Sequence, residues 1–326
     1  MTGVEDMIWS NLLHLSVNMW EDTPPKFAEE LRFDEALWNE LTEKMAEVGF
    51  NQVVIDLGDA IRYRSHPEIA VQGAWKVERL EQELARLRHL GLEPIPKLNF
   101  SATHDAWLGL YSRQVSTPIY YQVCTDLINE VSDIFDTPRF FHLGMDEENA
   151  TQQHRVQYAV MRRGDLWWHD LELLADAVRG TGSTPWIWAD HAWPLGAEYY
   201  ERMPHDIIQS AWYYGHTFPG DESGRPRVLT GSPDRWMSFL DLDDYGFLQI
   251  PTGSNHADPR DFGAIVDLCL ERVDHSRILG FLQTPWRFTI PESRDHHLEA
   301  IENVRVARIQ ALERFSEVAT HEGVKQ

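Results

Sequence analysis

Short apolar runs alternate with longer amphipathic segments about eight times along the chain. Alternating or continuous apolar runs of four to eight residues are typical of strands, and apolar residues recurring at three and four positions are typical of helices. The predicted strands are Leu12–Met19, Gln52–Leu57, Ile95–Phe100, Phe140–Met145, Pro185–Ala189, Ile207–Trp212, Phe247–Pro251 and Ile278–Thr284. The predicted helices that follow them are Asp34–Val48, Lys76–Leu90, Tyr120–Phe135, Asp165–Arg179, Gly196–Met203, Ser232–Asp244, Asp261–Val273 and Asp295–Glu317.

Eight strand–helix units in succession predict an α/β protein whose parallel strands close into a single (β/α)8 TIM barrel. We expect this barrel to be one catalytic domain spanning residues 1–326, since barrels commonly exceed the usual length of a domain. An open doubly wound sheet is the alternative, because an alternating pattern does not by itself determine the order of the strands.

Active sites of such barrels lie at the carboxyl ends of the strands, and side chains alternate between the two faces of each strand. On the fourth strand, this alternation predicts that Met145 faces the helices and that Asp146 faces the barrel interior. The polar residues predicted to point inward are His14, Ser16, Asn18, Asp56, Lys97, Asn99, Ser101, His142 and Asp146. Burying unpaired polar groups costs about 1–3 kcal/mol each, so this cluster requires a reason. One explanation is an internal ion-pair network, with His142 between Asp56 and Lys97. The other explanation is that these residues contact a ligand directly.

Composition narrows the class of ligand. The chain has 29 Lys and Arg residues against 52 Asp and Glu residues, a formal net charge of −23. Such a charge repels phosphate backbones and anionic lipid, so it disfavours nucleic-acid and membrane partners and favours a neutral substrate. The two cysteines, Cys124 and Cys269, offer no disulfide framework, and the acidic amino terminus does not resemble a signal peptide. We therefore expect a cytoplasmic location.

The 13 Trp, 10 Tyr and 14 Phe residues concentrate just after the predicted strands. Aromatic rings at strand ends are natural platforms for the faces of sugars, although any single ring can also simply fill the core. This distribution favours a carbohydrate ligand.

The segment from Phe141 to Glu148, FHLGMDEE, places the acidic pair Asp146 and Glu147 at the end of the fourth strand. Cleavage of a glycosidic bond requires a proton donor for the leaving oxygen and a negative group for the oxocarbenium-like centre, which two carboxyl groups can supply. The alternative is that the two acids only complement the dipole at the amino terminus of a helix.

This segment resembles the His-x-Gly-x-Asp-Glu motif of family 20 glycoside hydrolases, the β-N-acetylhexosaminidases, which are also (β/α)8 barrels. The resemblance implies that Glu147 is the general acid and base and that Asp146 orients the 2-acetamido group of the substrate, which acts as the nucleophile. It also implies action on a terminal amino sugar without a cofactor or metal. The substrate-binding residues that the resemblance and the inward pattern together predict are His14, Asn18, Asp56, Lys97, Asn99, His104, His142, Trp188, Asp190, Trp193, Trp212, Tyr214, Trp286 and Arg287.

Several positions depart from the family pattern. Asn18 or His14 stands where the family has a strand-one arginine, and Lys97 replaces an acid on strand three. The strand-seven tyrosine is absent, so Tyr213 or Tyr214 from strand six is a candidate to replace it, and Arg287 takes the place of a strand-eight glutamate. The identity of the sugar is therefore less determined than the class of reaction.

Three other functions stay open. Glu147 could work with Asp190 or Asp56 as the second carboxylate of an ordinary glycosidase. The chain could be a metal-dependent barrel enzyme or a non-catalytic sugar-binding barrel. The candidate metal ligands are Asp190, His191, His216, His256 and Asp258.

Overall fold

The computed structural model describes residues 6–16, 18, 27–149, 159–218 and 235–323, with side chains up to residue 315. The eight strands of the main sheet are β1 (Ile8–His14), β2 (Gln52–Asp56), β3 (Glu93–Lys97), β4 (Phe140–His142), β5 (Thr184–Trp188), β6 (Ile208–Ser210), β7 (Thr252–Gly253) and β8 (Gly280–Gln283). The longer helices are α1 (Glu35–Val48), α2 (Val77–His89), α3 (Pro118–Ile134), α4 (Asp165–Gly180), α5 (Ala197–Arg202), α6 (Ser238–Asp244), α7 (Asp261–Arg272) and α8 (Arg294–Gly323).

All neighbouring strands are parallel, in the order β6-β5-β4-β3-β2-β1-β8-β7. A parallel bridge joins Gln209 of β6 to Gln249, a second joins Trp212, just after β6, to Thr252 of β7, and together they close the ring. The predicted (β/α)8 barrel is therefore confirmed.

Local sequence explains how the helices begin and end. The side chain of Asp34 accepts the backbone N–H of Leu37 at 2.7 Å and caps α1, and Thr117 caps α3 in the same way. The α1 helix ends at Gly49, whose φ of 95° lies in the left-handed region that glycine adopts without strain.

Two predicted strands are displaced. The first strand is β1, Ile8–His14, and begins four residues before the predicted start at Leu12; Met19 lies outside the described residues. Its polar residues Ser10 and Asn11 obscured the strand pattern, but it pairs with both β2 and β8. The predicted strand Phe247–Pro251 is wrong, because only isolated bridges form there and the regular pairing starts at Thr252.

Apolar side chains form two layers. Phe141, Leu143 and Met145 belong to the large cluster between the strands and the helices, as the alternation predicted. A smaller cluster fills the barrel interior and includes Trp186 and Trp188 of β5. Among the described helices, none combines the length and the apolar character needed to cross a membrane.

Candidate active site

The acidic pair stands on a strained turn after β4. The backbone oxygen of Gly144 still accepts the N–H of Trp188 at 3.0 Å, so the chain follows β5 for two residues beyond the strand. Gly144, Met145 and Glu147 then have positive φ angles of 73°, 71° and 55°. Positive φ is uncommon for residues other than glycine and occurs preferentially at functional sites. The turn brings Asp146 and Glu147 to the mouth of the barrel.

Asn99, which follows β3, holds this turn from the neighbouring strand. Its Oδ1 accepts the N–H of Ser101 at 3.0 Å and that of Met145 at 3.3 Å, and its Nδ2 donates to Asp146 Oδ1 at 2.9 Å. A Cβ atom on Gly144 would lie 1.9 Å from Asn99 Oδ1, so only glycine fits there. Asn99 therefore positions Asp146.

His104 links the two acids. Its Nε2 lies 3.4 Å from Asp146 Oδ2 and 3.2 Å from Glu147 Oε2. Burial by itself lowers the pKa of His104, but the carboxylates of Asp146 and Glu147 outweigh burial and raise that pKa to about 9. The imidazole thus carries a positive charge at neutral pH. The Glu147 side chain is 26% exposed and that of Asp146 only 10%, so Glu147 is the more accessible of the pair.

Asp190, two residues after β5, approaches the pair from the other side. Its Oδ2 accepts the backbone N–H of Glu147 at 2.9 Å. Burial, followed by the negative charge of Asp146, raises the pKa of Asp190 well above its usual range. Three carboxyl groups and one histidine therefore share one small region.

Sequence reasoning missed Arg162, which supports this turn from behind. Its guanidinium is fully buried and pairs with Glu148 and with Asp170 of α4, and it donates to the backbone oxygen of Phe100 at 2.7 Å. Nothing in the segment Met161-Arg162-Arg163 signals this role, because two consecutive arginines are typical of an exposed loop.

Aromatic side chains line the same end of the barrel. Trp286 Nε1 donates to the hydroxyl of Tyr214 at 2.6 Å, and the ring centroids of Trp286 and Trp188 are 5.9 Å apart. Trp212 stacks on Tyr214 with a centroid distance of 4.9 Å. Burial raises the pKa of Tyr214, the hydrogen bond with Trp286 lowers it, and the negative charges of Glu147 and Asp146 raise it further.

Trp193 differs from the other predicted platform residues. Its Nε1 donates to Ser238 Oγ at 3.1 Å, and its ring meets Trp212 edge-on at 4.5 Å. The guanidinium of Arg235 covers its ring at 4.3 Å from the centroid. One face of Trp193 is therefore already occupied by a cation.

The polar cluster inside the barrel is largely an internal ion pair. Lys97 and Asp56, on adjacent strands, form a buried salt bridge, and His14 Nδ1 lies 3.5 Å from Asp56 Oδ2. The prediction that His142 lies between them is wrong. The His142 ring packs against Trp186 and Trp188, with centroids 4.7 and 4.4 Å away, and its Nδ1 accepts the Gly144 N–H. Burial lowers the pKa of both His14 and His142, and the positive charge of Lys97 lowers it further.

Asn18 and Arg287 lie at the edges of the predicted site. The amide of Asn18 donates to Ala28 O and to Asp59 Oδ2, and it accepts the Ala28 N–H, so its hydrogen bonds connect Asn18 to Ala28 and to Asp59. Arg287 donates to the backbone oxygen of Trp286 at 3.0 Å, and its Nη1 lies 3.1 Å from His256 Nδ1.

The candidate metal ligands from the sequence do not form one cluster. Within the described residues, two groups bring three ligand atoms within 4.8 Å of one another: His104 with Asp146 and Glu147, and His216 with Asp258 and Asp261. Asp190, His191 and His256 belong to neither group. The ring of His191 instead stacks on Trp167 with a centroid distance of 4.1 Å.

Comparisons with known proteins identify the fold through structure alone. No family model matches the chain, and no curated protein matches it by sequence. The structure is similar to that of a family 20 exo-β-N-acetylglucosaminidase from Vibrio harveyi, with a TM-score of 0.63 and 13% identity over 96% of this chain. This is the fold of the family 20 glycoside hydrolases.

Two further solved structures are similar to this chain in the same way. The N-acetyl-β-hexosaminidase of Streptomyces plicatus gives a TM-score of 0.63 and 12% identity over 94% of this chain. Dispersin B gives a TM-score of 0.60 and 16% identity, and the match covers 91% of this chain and 98% of dispersin B. The chain spans only 58% of the Vibrio enzyme and 63% of the Streptomyces enzyme. The predicted resemblance to family 20 is thus confirmed as a similarity of fold.

Proposed function

We propose that this protein is a glycoside hydrolase that removes a terminal sugar, with Glu147 as the general acid and base. The observation that carries the proposal is the acidic pair after β4, whose two carboxyl groups lie 3.4 and 3.2 Å from His104 Nε2. Strand ends at this mouth are where (β/α)8 barrels build their active sites, and the family 20 fold supports the same class of reaction.

The two acids divide the work according to their surroundings. Glu147 is the more exposed, so its carboxyl group can reach the oxygen of a leaving group. Glu147 gives its proton to the leaving oxygen and regains one from the water that completes the hydrolysis, and the charged His104 beside Oε2 can stabilise the carboxylate between these two transfers. Asp146 is held by Asn99 and His104, and a fixed carboxylate is suited to orienting a group of the substrate.

The proposed substrate carries a 2-acetamido group, as the resemblance to family 20 implies. This group would be the nucleophile and Asp146 would orient it, so the reaction would need neither a second nucleophilic carboxylate nor a cofactor. Trp212, Tyr214 and Trp286 contact one another at this end of the barrel and would enclose one sugar ring at a chain end, whereas Trp188 is only 1% exposed and packs against Trp286. Tyr214 also takes the place of the family's missing tyrosine in this proposal.

A panel of aryl glycosides with and without a 2-acetamido group tests the proposal. We expect the unsubstituted protein to hydrolyse the 2-acetamido substrates. In Glu147→Gln, kcat should fall by about 10²–10⁴-fold, because this is the usual contribution of a general acid to the rate. The loss should be smallest for a leaving group that departs without a proton. Glu147→Gln should still bind the product sugar.

Two results would contradict the assignment. Equal, small losses for good and poor leaving groups would exclude Glu147 as the acid. Binding of sugars by the unsubstituted protein without any hydrolysis would favour a sugar-binding barrel.

A metal-dependent hydrolase is the second candidate, because His104, Asp146 and Glu147 also bring three ligand atoms within 4.8 Å. Imidazole and carboxylate groups are ordinary ligands of divalent transition metals. Treatment with a chelator separates the two candidates: the glycosidase mechanism predicts unchanged activity, and the metal mechanism predicts a loss that added metal restores.

A further inference from the structure

We propose that Asp190 is a positioning residue that holds the backbone of Glu147 as a neutral carboxyl group, and that it is not a second carboxylate of the reaction. This inference rests on the proposed function of Glu147 and adds a residue whose role nothing in the acidic motif reveals. Three observations about its contacts lead to it.

The first is the backbone contact. Glu147 has a φ of 55°, and its N–H donates to Asp190 Oδ2 at 2.9 Å. A residue other than glycine keeps such a conformation only when its surroundings enforce it. Since Asp190 lies two residues after β5 and Glu147 follows β4, this hydrogen bond connects the segments that follow two adjacent strands. The bond therefore determines where the Glu147 side chain leaves the backbone.

The second is the state of the other oxygen. Asp190 is buried, and its Oδ1 has no hydrogen-bond partner among the described residues. A buried carboxylate with one accepted hydrogen bond, next to the carboxylates of Asp146 and Glu147, would be strongly destabilised. A neutral carboxyl group avoids this, with Oδ2 as the carbonyl oxygen and Oδ1 as the hydroxyl.

The third is electrostatic. Burial raises the pKa of Asp190 well above its usual range, and the charges of Asp146 and Glu147 raise it further. An ordinary two-carboxylate glycosidase needs an ionised nucleophile or base in this position. The environment of Asp190 disfavours the ionised carboxylate and favours a neutral carboxyl group that holds the Glu147 backbone in place.

Two substitutions at the same position distinguish the roles. Asp190→Asn keeps an oxygen to accept the Glu147 N–H and an N–H group to replace the hydroxyl, so we expect kcat within about threefold of the unsubstituted enzyme. Asp190→Ala removes both, and we expect kcat to fall by about 10²-fold with KM nearly unchanged, as for a misplaced catalytic group. An ionised base or nucleophile would instead make both variants equally inactive, which would overturn the proposal.

Asp34→Ala is the matched control. Asp34 also accepts a backbone N–H, from Leu37 at 2.7 Å, but caps α1 and does not contact the acidic pair. The Asp34→Ala substitution should lower the free energy of unfolding without lowering kcat. A loss of kcat in Asp34→Ala as large as in Asp190→Ala would show that the second effect is only structural.

Nuclear magnetic resonance of protein labelled with ¹³C in the aspartate carboxyl groups gives a readout independent of activity. The signal that disappears in Asp190→Asn identifies Asp190, and we expect it at the chemical shift of a neutral carboxyl group at pH 7. A signal at the shift of an ionised carboxylate would overturn the proposal even in an active enzyme. Absence of activity towards every glycoside would refute the proposed function instead.

Discussion

Gly144 controls the geometry of the acidic pair. Its φ of 73° is left-handed, and the space that a Cβ would need is filled by Asn99, which also holds Asp146. The left-handed φ and the close approach of Asn99 therefore each require glycine at this position. The motif includes a glycine because of the backbone, and the chemistry of the acids depends on it.

Replacing this glycine tests that account. Gly144→Ala should lower the free energy of unfolding by about 2–4 kcal/mol, from the left-handed φ together with overpacking, and should abolish activity. Gly91→Ala is the control, because Gly91 has a φ of 83° but no atom within 4 Å of a Cβ. It should cost only about 1 kcal/mol. Urea unfolding measures both, and equal costs would contradict the role given to Asn99.

His104 makes stability depend on pH. Its pKa is raised from 6.5 in the unfolded chain to about 9 in the folded protein, so the folded state binds the proton more tightly. The resulting stabilisation is fully present below pH 6.5 and is lost as the pH rises through about 9. Its size is on the order of 3 kcal/mol.

We therefore expect the free energy of unfolding to fall between pH 6.5 and pH 9, and to fall less in His104→Gln. The buried Asp105, whose pKa is raised to about 8, contributes a slope of the same sign to both proteins, so the difference between them is informative. Urea unfolding at several pH values measures the slopes. Parallel slopes would show that His104 is not charged in the folded protein.

The ion pair between β2 and β3 shows how adjacent strands share a polar interior. Asp56 and Lys97 are paired in the strand register, and both side chains point into the barrel and are buried. This position explains the unusual lysine on the third strand: it neutralises an aspartate beneath the mouth of the barrel. The pair supports the site from below, and direct contact with a sugar is not needed to account for it.

Substitutions on the two strands test this coupling. Lys97→Met should cost about 3–5 kcal/mol of stability, because it removes the cation that pairs with the buried carboxylate of Asp56. Combining it with Asp56→Asn should restore part of that loss, since no buried charge then remains unpaired. A double-mutant cycle measured by urea unfolding checks this, and additive costs would contradict the ion pair.

The chain carries a formal net charge of −23. Cationic groups such as Arg287, which follows Trp286, nevertheless lie near the mouth of the barrel. A field of this sign slows the approach of anionic ligands and leaves neutral ones unaffected, and salt screens it. This favours a neutral sugar as the substrate.

The salt dependence of activity follows from this charge. We expect kcat/KM for a neutral aryl glycoside to change by less than about twofold between low and high ionic strength, and kcat/KM for a sulfated analogue to rise. Steady-state kinetics at two salt concentrations measure both. A fall in kcat/KM for the sulfated substrate would show that local arginines attract it and that the net charge does not decide.

The sequence by itself determined the barrel, the outward direction of Met145 and the location of the acidic pair. These features follow from local periodicity and from the rule that barrels build their sites at strand ends. The tertiary structure decided which polar groups meet: Asn99 with Asp146, His104 between the two acids, Asp190 under Glu147, and Arg162 behind Glu148. These partners lie 14 to 47 residues apart in the chain, and no local pattern specifies such pairings because they depend on strand register and on the left-handed turn after β4.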